Sequence, residues 1–326
     1  MNKIIIVGAG SIGTALGQTL AKKEDCDVTL LSIEREVVDT ITQSRRNMKY
    51  FPGVKLSKFL KATTDVSVLN DAEVVFLAIP SLVTVDYVLE HRALLPNYAI
   101  LLNLAKGFSK EKKTITETLT GKVPNPVCSF KGPTFARELI NKLPTGFTVG
   151  TKNASHKELF TSMFSDTPVH LDFSDDVKGV EVLSILKNIY AIGTGIVDAH
   201  FNSPNLRFLF LTKAFNEMKE ILLQYGGRTE TMFKYCGYGD FTLTALNDLS
   251  RNRTLGLLIG KGFFTDDISD KVVLEGKIAV NVFCNEISKK KNLNGNFPII
   301  SELYKVFNGK YDVSSFVDNV LTDRSA

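Results

Sequence analysis

The sequence predicts an α/β fold in its first half, built on a doubly wound parallel sheet, followed by an all-helical second half. Short apolar segments of strand length alternate with helical patterns from residue 4 to about residue 173, which is typical of parallel sheets. From about Asp175 onward the pattern changes to long helical periods. With 326 residues the chain exceeds what one core usually supports. We therefore place a boundary at residues 174–176, with domains over 1–174 and 175–326.

The composition excludes several classes of protein. A hydrophobic share of 44% and a charged share of 23% are those of an ordinary globular chain. The net charge of +4 is too small for a dedicated nucleic-acid binder, but it suits an anionic small substrate. No apolar run approaches the roughly 20 residues that a membrane span needs, so no stable membrane insertion is expected.

The four cysteines lie far apart in the sequence, with no C-x-x-C pair. This spacing predicts neither a disulfide framework nor a zinc site, so we expect no bound metal. It suits a reducing compartment, and the apolar run at the N-terminus is too short for a signal peptide. We therefore expect a cytoplasmic protein.

The first strand leads directly into a glycine motif. Ile4–Val7 is expected to be a buried strand, and residues 14–21 have helical spacing. Between them Gly8, Gly10 and Gly13 form G-x-G-x-x-G, in which the glycines allow a tight turn, the approach of a pyrophosphate, and close packing of helix and strand. A helix N-terminus there offers free N–H groups to phosphates. The motif indicates a Rossmann domain that binds a dinucleotide; the alternative is a glycine-rich turn without a ligand.

The end of the second strand, 28–32, is where the adenosine ribose is expected to bind. Glu34 can accept a hydrogen bond from the 2′-hydroxyl of NAD, whereas Ser32 and Arg35 can hold the 2′-phosphate of NADP. Glu34 can also simply begin the next helix. The residues favour NAD slightly and leave NADP open.

Further strands are expected at 74–79, 100–104, 126–130, 145–149 and 169–173. Ligands of such sheets bind beyond the carboxyl ends of the strands. Lys106 follows the strand 100–104 and is a candidate for this position, or else a solvated loop lysine. Pro133, directly after Gly132, is expected to be the first residue of a helix.

In the second half, residues 179–192 are apolar on all sides of a helical wheel, which is typical of a buried helix. Lys187 and Asn188 lie in the middle of this stretch. A buried ammonium is costly unless an acceptor meets it. Lys187 is therefore part of a structural ion pair or is a catalytic lysine that faces a polar cleft.

Two later motifs carry polar groups. Gly237 and Gly239 precede Asp240, which indicates a tight loop that aims this carboxylate, or else a plain turn. Ser250 is a natural N-cap for the helix that follows, and Arg251 and Asn252 lie on its first turn. These groups together with the helix dipole can form an anion site; the alternative is a serine cap with surface arginines.

Taken together, the motifs resemble those of the NAD(P)-dependent glycerol-3-phosphate dehydrogenases of the bacterial type, over nearly the whole chain. The segments that carry the resemblance are Gly8–Leu16, Asn47–Gly53, Ala78–Ser81, Lys106–Gly107, Gly132–Glu138, Leu143–Thr145, Leu186–Gly193, Gly237–Thr244, Ser250–Arg253, Glu275–Gly276 and Pro298–Ile299.

The resemblance implies the reversible reduction of dihydroxyacetone phosphate to sn-glycerol 3-phosphate by NAD(P)H, a step towards glycerophospholipids. It implies that Lys187 is the catalytic proton donor and acceptor, that Asp240 lies beside it, and that Lys106 touches substrate and nicotinamide. It implies further substrate contacts at Gly132, Thr134, Thr244, Ser250, Arg251 and Asn252. It implies cofactor contacts at Ser11, Ile12, Ala136, Arg251 and Glu275.

Three segments depart from the family pattern. They are residues 199–204, the bulky 208–210, and 277–281 after Glu275–Gly276. They leave two alternatives open: a related reductase of another phosphorylated ketone or a 2-oxo acid, and a dinucleotide-binding protein without turnover. We expect a homodimer.

Overall fold

The computed structural model describes residues 1–263, 270–289, 297–309 and 311–322, with side chains of 276–286 in the second range. The chain divides into two compact units, Met1–Glu181 and Val182–Ala326. The domain boundary at 174/175 stays a prediction from the sequence.

Unit 1 is built on one doubly wound, mostly parallel sheet, as the sequence predicts. The sheet has eight strands, one more than the seven expected. Its strands run in the order β3-β2-β1-β4-β5-β6-β7-β8. The bounds are β1 Asn2–Val7, β2 Cys26–Leu31, β3 Lys61–Thr63, β4 Val74–Leu77, β5 Ile100–Asn103, β6 Val127–Lys131, β7 Thr145–Gly150 and β8 Val169–Ser174.

Apolar side chains cover both faces of this sheet. In β1, Ile4 and Ile6 belong to one buried cluster, whereas Ile5 and Val7 belong to another. This follows from the alternation of side chains along a strand. The helices of unit 1 are α1 Ser11–Leu20, α2 Arg35–Ser44, α3 Ser81–Glu90, α4 Ile115–Leu119, α5 Ala136–Ile140 and α6 Ala154–Phe164.

The sheet departs from the prediction at its far edge. β6 and β7 pair antiparallel, while β7 and β8 are parallel to each other. Residues 132–144 join these two strands and contain the five-residue helix α5, and the chain returns beside β6 in the opposite direction. The three-residue strand β3 was not predicted from the sequence.

The prediction that Pro133 begins a helix is wrong, because α5 begins at Ala136. The Thr134 hydroxyl bonds the Thr145 hydroxyl at 2.5 Å and donates to the Gly146 carbonyl at 3.2 Å. These bonds hold residues 133–134 along β7 in a non-helical path, and the helix starts only after them.

In the described part of unit 2 every element is helical, as predicted. Its helices are α7 Val177–His200, whose first residues belong to unit 1, α8 Pro204–Gln224, α9 Asp240–Leu246, α10 Arg251–Gly260, α11 Asp270–Lys289, α12 Pro298–Asn308 and α13 Phe316–Leu321.

Helix α7 corrects one expectation. It is 24 residues long with a mean hydropathy of 1.4 over its most apolar window, so by length and composition it could cross a membrane. However, 94% of that window is buried within the protein, which is the property of a core helix.

Helices α7 and α10 approach each other through glycines. A methyl group on Gly256 would overlap the carbonyl oxygen of Ile192, and one on Gly195 would overlap that of Arg253. The two backbones are therefore in direct contact at this point.

A buried carboxylate holds the start of α12. Glu217 on α8 accepts hydrogen bonds from Ile300 N at 2.8 Å, Ile299 N at 3.0 Å and the Tyr190 hydroxyl at 3.0 Å. Burial raises the pKa of Glu217 to about 7, against the opposing effect of these three hydrogen bonds. The group thus satisfies N–H groups that a helix start leaves unpaired.

We predict that this carboxylate makes the stability of unit 2 depend on pH. Because its pKa is higher in the folded than in the unfolded chain, the folded state binds the extra proton between about pH 4.5 and 7. The free energy of unfolding should therefore fall as pH rises through this range, by up to about 3 kcal/mol, and then level off.

Urea unfolding at several pH values measures this slope. Glu217→Gln should remove its share of the slope, whereas Glu220→Gln, an exposed neighbour on the same helix, should leave it unchanged. A slope that is the same in wild type and Glu217→Gln would contradict the prediction.

Candidate functional site

The glycine motif of unit 1 has the geometry that its spacing predicts. Gly8 has φ of +106°, a conformation that favours glycine, and a methyl group on Gly13 would overlap the Gly8 carbonyl. At Gly10, the N-cap of α1, an added Cβ would meet nothing within 4 Å. Two glycines thus shape the turn, and the third leaves open space at the helix N-terminus. This arrangement fits a dinucleotide pyrophosphate.

The other predicted dinucleotide contacts of this loop are accessible. Ser11 is exposed and Ile12 half-buried, both in the first turn of α1. Glu34 is the N-cap residue of α2, so it does begin the next helix. Its half-buried carboxylate pairs with Lys49 and accepts a hydrogen bond from the Tyr50 hydroxyl at 3.3 Å. The carboxylate is held in place just beyond β2.

The predicted residues beyond β5 and β6 lie on neighbouring strand ends. The half-buried Lys106 donates from Nζ to the carbonyl oxygen of Gly132 at 3.1 Å. Thr134 is held by β7, and Ala136 is the first residue of α5. The structure brings Lys106 and Gly132 into direct contact.

In unit 2, Lys187 lies inside the apolar helix α7 with only 5% of its surface exposed. Its Nζ donates to Asp240 Oδ1 at 2.5 Å and to Thr244 Oγ1 at 2.8 Å. Asp240 and Thr244 are themselves buried, at 1% and 6% exposure. A carboxylate and a hydroxyl therefore meet the ammonium that burial would otherwise penalise.

The chain around Gly237 places this carboxylate. Tyr235–Gly239 forms a short π-type turn in which Gly237 is kinked, with φ of −94° and ψ of −105°. A side chain there would overlap the backbone of Met232. Helix α9 then begins at Asp240, so that Asp240 and Thr244 lie one turn apart on the same face.

The predicted anion-binding motif opens α10. Ser250 caps the helix by accepting a hydrogen bond from Arg253 N at 3.3 Å, as expected. Arg251 is exposed and Asn252 is half-buried on the first turn. The helix is ten residues long, so its dipole adds positive potential at this end.

An ion cluster that the sequence analysis missed supports this helix start. Arg253 bonds the buried carboxylate of Asp198, donates from Nε to Asp248 at 3.0 Å and bonds the Ala245 carbonyl at 3.1 Å. Arg207 Nε also donates to Asp198, at 2.6 Å. Burial alone would lower the pKa of Arg253, but the bonds to Asp198 and Asp248 raise it above its usual value. The cluster ties α10 to α7 and α8.

Glu275 belongs to α11, but its side chain lies outside the part of the chain that the structure describes.

The residues that depart from the family pattern lie partly in the core and partly on the surface. Phe210 packs in the core beside Gly193, whereas Phe208 and Leu209 are exposed. Ala279 and Val280 are buried in α11.

Two further buried groups, Lys131 and Glu181, were also missed. A signal was available for Glu181, which lies in the same apolar stretch as Lys187 and is equally costly to bury. Lys131 has no comparable local signal. It lies at the end of a strand, beside the Gly132–Pro133 pair that was interpreted as a helix start.

The glycine loop generates a prediction with an internal control. Gly10→Ala should leave the melting temperature unchanged, because the backbone is extended and the new methyl meets no atom. It should raise the dissociation constant for NADH about tenfold or more by filling the space where a pyrophosphate approaches. Titration of NADH fluorescence and a thermal melt measure the two effects.

Gly13→Ala is the matched variant and should lower the melting temperature, since its methyl overlaps the Gly8 carbonyl. NADH binding by Gly10→Ala with wild-type affinity would exclude this loop as the pyrophosphate site.

Comparison with known proteins agrees with this geometry. Residues 3–157 match the model of the NAD-dependent glycerol-3-phosphate dehydrogenase N-terminus, and residues 176–318 match that of the C-terminus. A glycerol-3-phosphate dehydrogenase [NAD(P)+] from Methanothermobacter thermautotrophicus is 39% identical over 79% of this chain and 80% of the relative.

A second relative of the same name, from Clostridium botulinum, is 31% identical over 98% of this chain and 97% of its own. The crystal structure of a glycerol-3-phosphate dehydrogenase from Coxiella burnetii superimposes with a TM-score of 0.88 at 26% identity, covering 98% of both chains. The chain belongs to the NAD-dependent glycerol-3-phosphate dehydrogenase family.

Proposed function

We propose that this chain reduces dihydroxyacetone phosphate to sn-glycerol 3-phosphate, reversibly, with NAD(P)H as hydride donor, and that Lys187 transfers the proton. The observation that carries the proposal is the buried Lys187, whose ammonium is held by Asp240 and Thr244. Family membership supports the choice of reaction. The relatives carry the name of this enzyme.

The reaction needs a proton at the atom where charge develops. Bound NAD(P)H supplies a hydride to the ketone carbon of the substrate. The ketone oxygen gains negative charge as the carbon–oxygen double bond becomes a single bond. Lys187 stabilises this charge and gives one N–H proton to the oxygen, forming the alcohol; in the reverse direction the neutral amine takes the proton back.

Asp240 favours the charged and oriented Lys187 side chain that the proton transfer needs. Burial disfavours an ammonium, whereas a carboxylate at 2.5 Å favours it. The Thr244 hydroxyl fixes the direction of Nζ as a second acceptor. Asp240 thus orients Lys187 and balances its charge.

The substrate phosphate is assigned to the start of α10. Ser250, Arg251 and Asn252 present a hydroxyl, a guanidinium and an amide at a positive helix end. A phosphate anchored there holds the ketone still for the transfer. Gly132, Thr134 and Lys106 contribute the substrate contacts of unit 1.

The cofactor is assigned to the glycine loop of unit 1. Gly10 and the first turn of α1 would hold the pyrophosphate. Further contacts to the cofactor would come from Ser11, Ile12, Lys106, Ala136, Arg251 and Glu275. Glu34 takes the ribose 2′-hydroxyl, which favours NAD over NADP. The ratio of kcat/KM for NADH and NADPH measures this preference.

We also propose a domain division, a cellular location and an oligomeric state. Residues 1–174 form the dinucleotide-binding domain and 175–326 the helical substrate domain; the two family matches fall on either side of this boundary. The four cysteines are free thiols, which supports a cytoplasmic location. The protein is a homodimer, which light scattering can test.

We predict that removing the proton donor stops turnover while cofactor binding persists. Loss of one partner of a buried ion pair costs about 3–5 kcal/mol, so Lys187→Met is combined with Asp240→Asn to keep the charge balanced. Substrate-dependent oxidation of NADH should fall about 10²- to 10⁴-fold, the usual contribution of general acid catalysis. The dissociation constant for NADH should change little.

Lys178→Met, at a partly exposed lysine of the same helix, should leave the rate unchanged. Equal loss of NADH binding and turnover would assign Lys187 a structural role. A wild-type chain that oxidises NADH faster with larger phosphorylated ketones or 2-oxo acids would change the substrate. No oxidation with any of them would indicate a protein without turnover.

We further predict that Arg251→Ala raises KM for dihydroxyacetone phosphate about 10- to 100-fold, because a charge-assisted hydrogen bond contributes about 1.5–3 kcal/mol. Steady-state kinetics at saturating NADH measures it. Lys261→Ala, at the opposite end of α10, is the control and should leave KM unchanged. An unchanged KM in Arg251→Ala would place the phosphate elsewhere.

A further inference from the structure

Lys106 follows β5 and Lys131 ends β6, and each side chain reaches across to the backbone beside the other. Lys131, the last residue of β6, donates from Nζ to the carbonyl oxygens of Asn103 at 2.7 Å and Ala105 at 2.6 Å. In return, Lys106 donates from Nζ to the carbonyl oxygen of Gly132 at 3.1 Å. Each lysine therefore bonds the backbone beside the other one.

Lys131 is completely buried, and a carboxylate compensates its charge. Glu181, 2% exposed, has Oε1 at 3.9 Å from Lys131 Nζ. Its Oε2 accepts hydrogen bonds from Thr116 N at 3.0 Å and Thr116 Oγ1 at 2.7 Å, and Oε1 accepts one from the Asn103 side chain. Both charges of the pair are thus hydrogen-bonded, as a buried pair requires.

These bonds fix the peptide groups that lead into Lys106. The N–H of Ala105 donates to the Asn103 side-chain oxygen at 2.9 Å, and its carbonyl accepts from Lys131. The carbonyl of Ala105 and the N–H of Lys106 lie in one rigid peptide plane. Fixing the Ala105 carbonyl therefore fixes the backbone from which the Lys106 side chain starts.

A stabilising ion pair alone would not need these particular acceptors. Lys131 bonds the two carbonyls that closely precede Lys106, and Lys106 bonds the residue that directly follows Lys131. We propose that Lys131, charge-balanced by Glu181, is a positioning residue that sets the backbone of Lys106 for its contact with substrate and nicotinamide. The inference rests on the proposed role of Lys106 in the reaction.

The test is a double-mutant cycle. Lys131→Met with Glu181→Gln removes both charges and keeps the volumes similar. It should lower kcat/KM for dihydroxyacetone phosphate about 10- to 100-fold, since small displacements of a positioned group have effects of this size. In a Lys106→Met background the same change should lower kcat/KM less than about twofold, because the two positions act as one.

A surface pair on α7 and α4, the helices that carry Glu181 and its partner Thr116, is the matched control. Lys178 and Glu117 join α7 and α4 at 3.1 Å with both side chains partly exposed. Lys178→Met with Glu117→Gln should leave kcat/KM unchanged. Lys131→Gln, which retains one donor group, should give an intermediate loss and provides a second variant if the charge-free one does not fold.

Hydrogen exchange gives a readout that needs no substrate. The segment 103–108 should exchange faster in Lys131→Met/Glu181→Gln and at the wild-type rate in the control. Two results would overturn this inference without affecting the proposed reaction. One is a loss of kcat/KM in the Lys106→Met background as large as in the wild-type background. The other is hydrogen exchange of segment 103–108 at the wild-type rate in Lys131→Met/Glu181→Gln. If the wild-type chain shows no substrate-dependent oxidation of NADH, the proposed function is overturned instead. The exchange rates would still show whether Lys131 fixes the backbone of segment 103–108.

Discussion

The helical unit depends on one electrostatic constraint, the ammonium of Lys187 inside an otherwise apolar helix. Such a charge is tolerated only where an opposite charge and a second acceptor meet it. The kink at Gly237 lets α9 begin at Asp240, and the helical repeat then places Thr244 on the same face. The local conformation of a distant segment is therefore tied to the charge state of a single side chain in α7.

Much of the fold could be predicted because its signals are local. Alternating buried strands and helices predict the sheet, and the all-apolar stretch predicts the core helix α7. The failures have a common physical cause. The direction of β7 and the path of residues 133–134 are decided by pairing with strands, which outweighs the preference of Pro133 for a helix start. The three-residue strand β3 is too short to show a period.

The candidate site likewise contains features that the sequence predicts and features that it does not. The glycine motif and the serine cap of α10 could be predicted from spacing, because each works through its own backbone. The pairing of Lys187 with Asp240 spans 53 positions and came from the family resemblance, not from the pattern. The cluster of Arg253 with Asp198 spans 55 positions and had no local signal. Partners of buried charges are chosen by the tertiary structure, so a single sequence shows that a partner is needed without showing which.

Under the proposed reaction, the glycine contact between α7 and α10 has a consequence for the choice of substrate. Helix α7 carries Lys187, and α10 carries Ser250, Arg251 and Asn252 at its first turn. Because the backbones touch at Gly195 and Gly256, no side chain separates the two helices there, and a rotamer change cannot adjust their spacing. Under the proposed reaction, the span between the proton donor and the phosphate anchor would thus be a fixed length. It would select molecules by the number of bonds between a carbonyl and a phosphate.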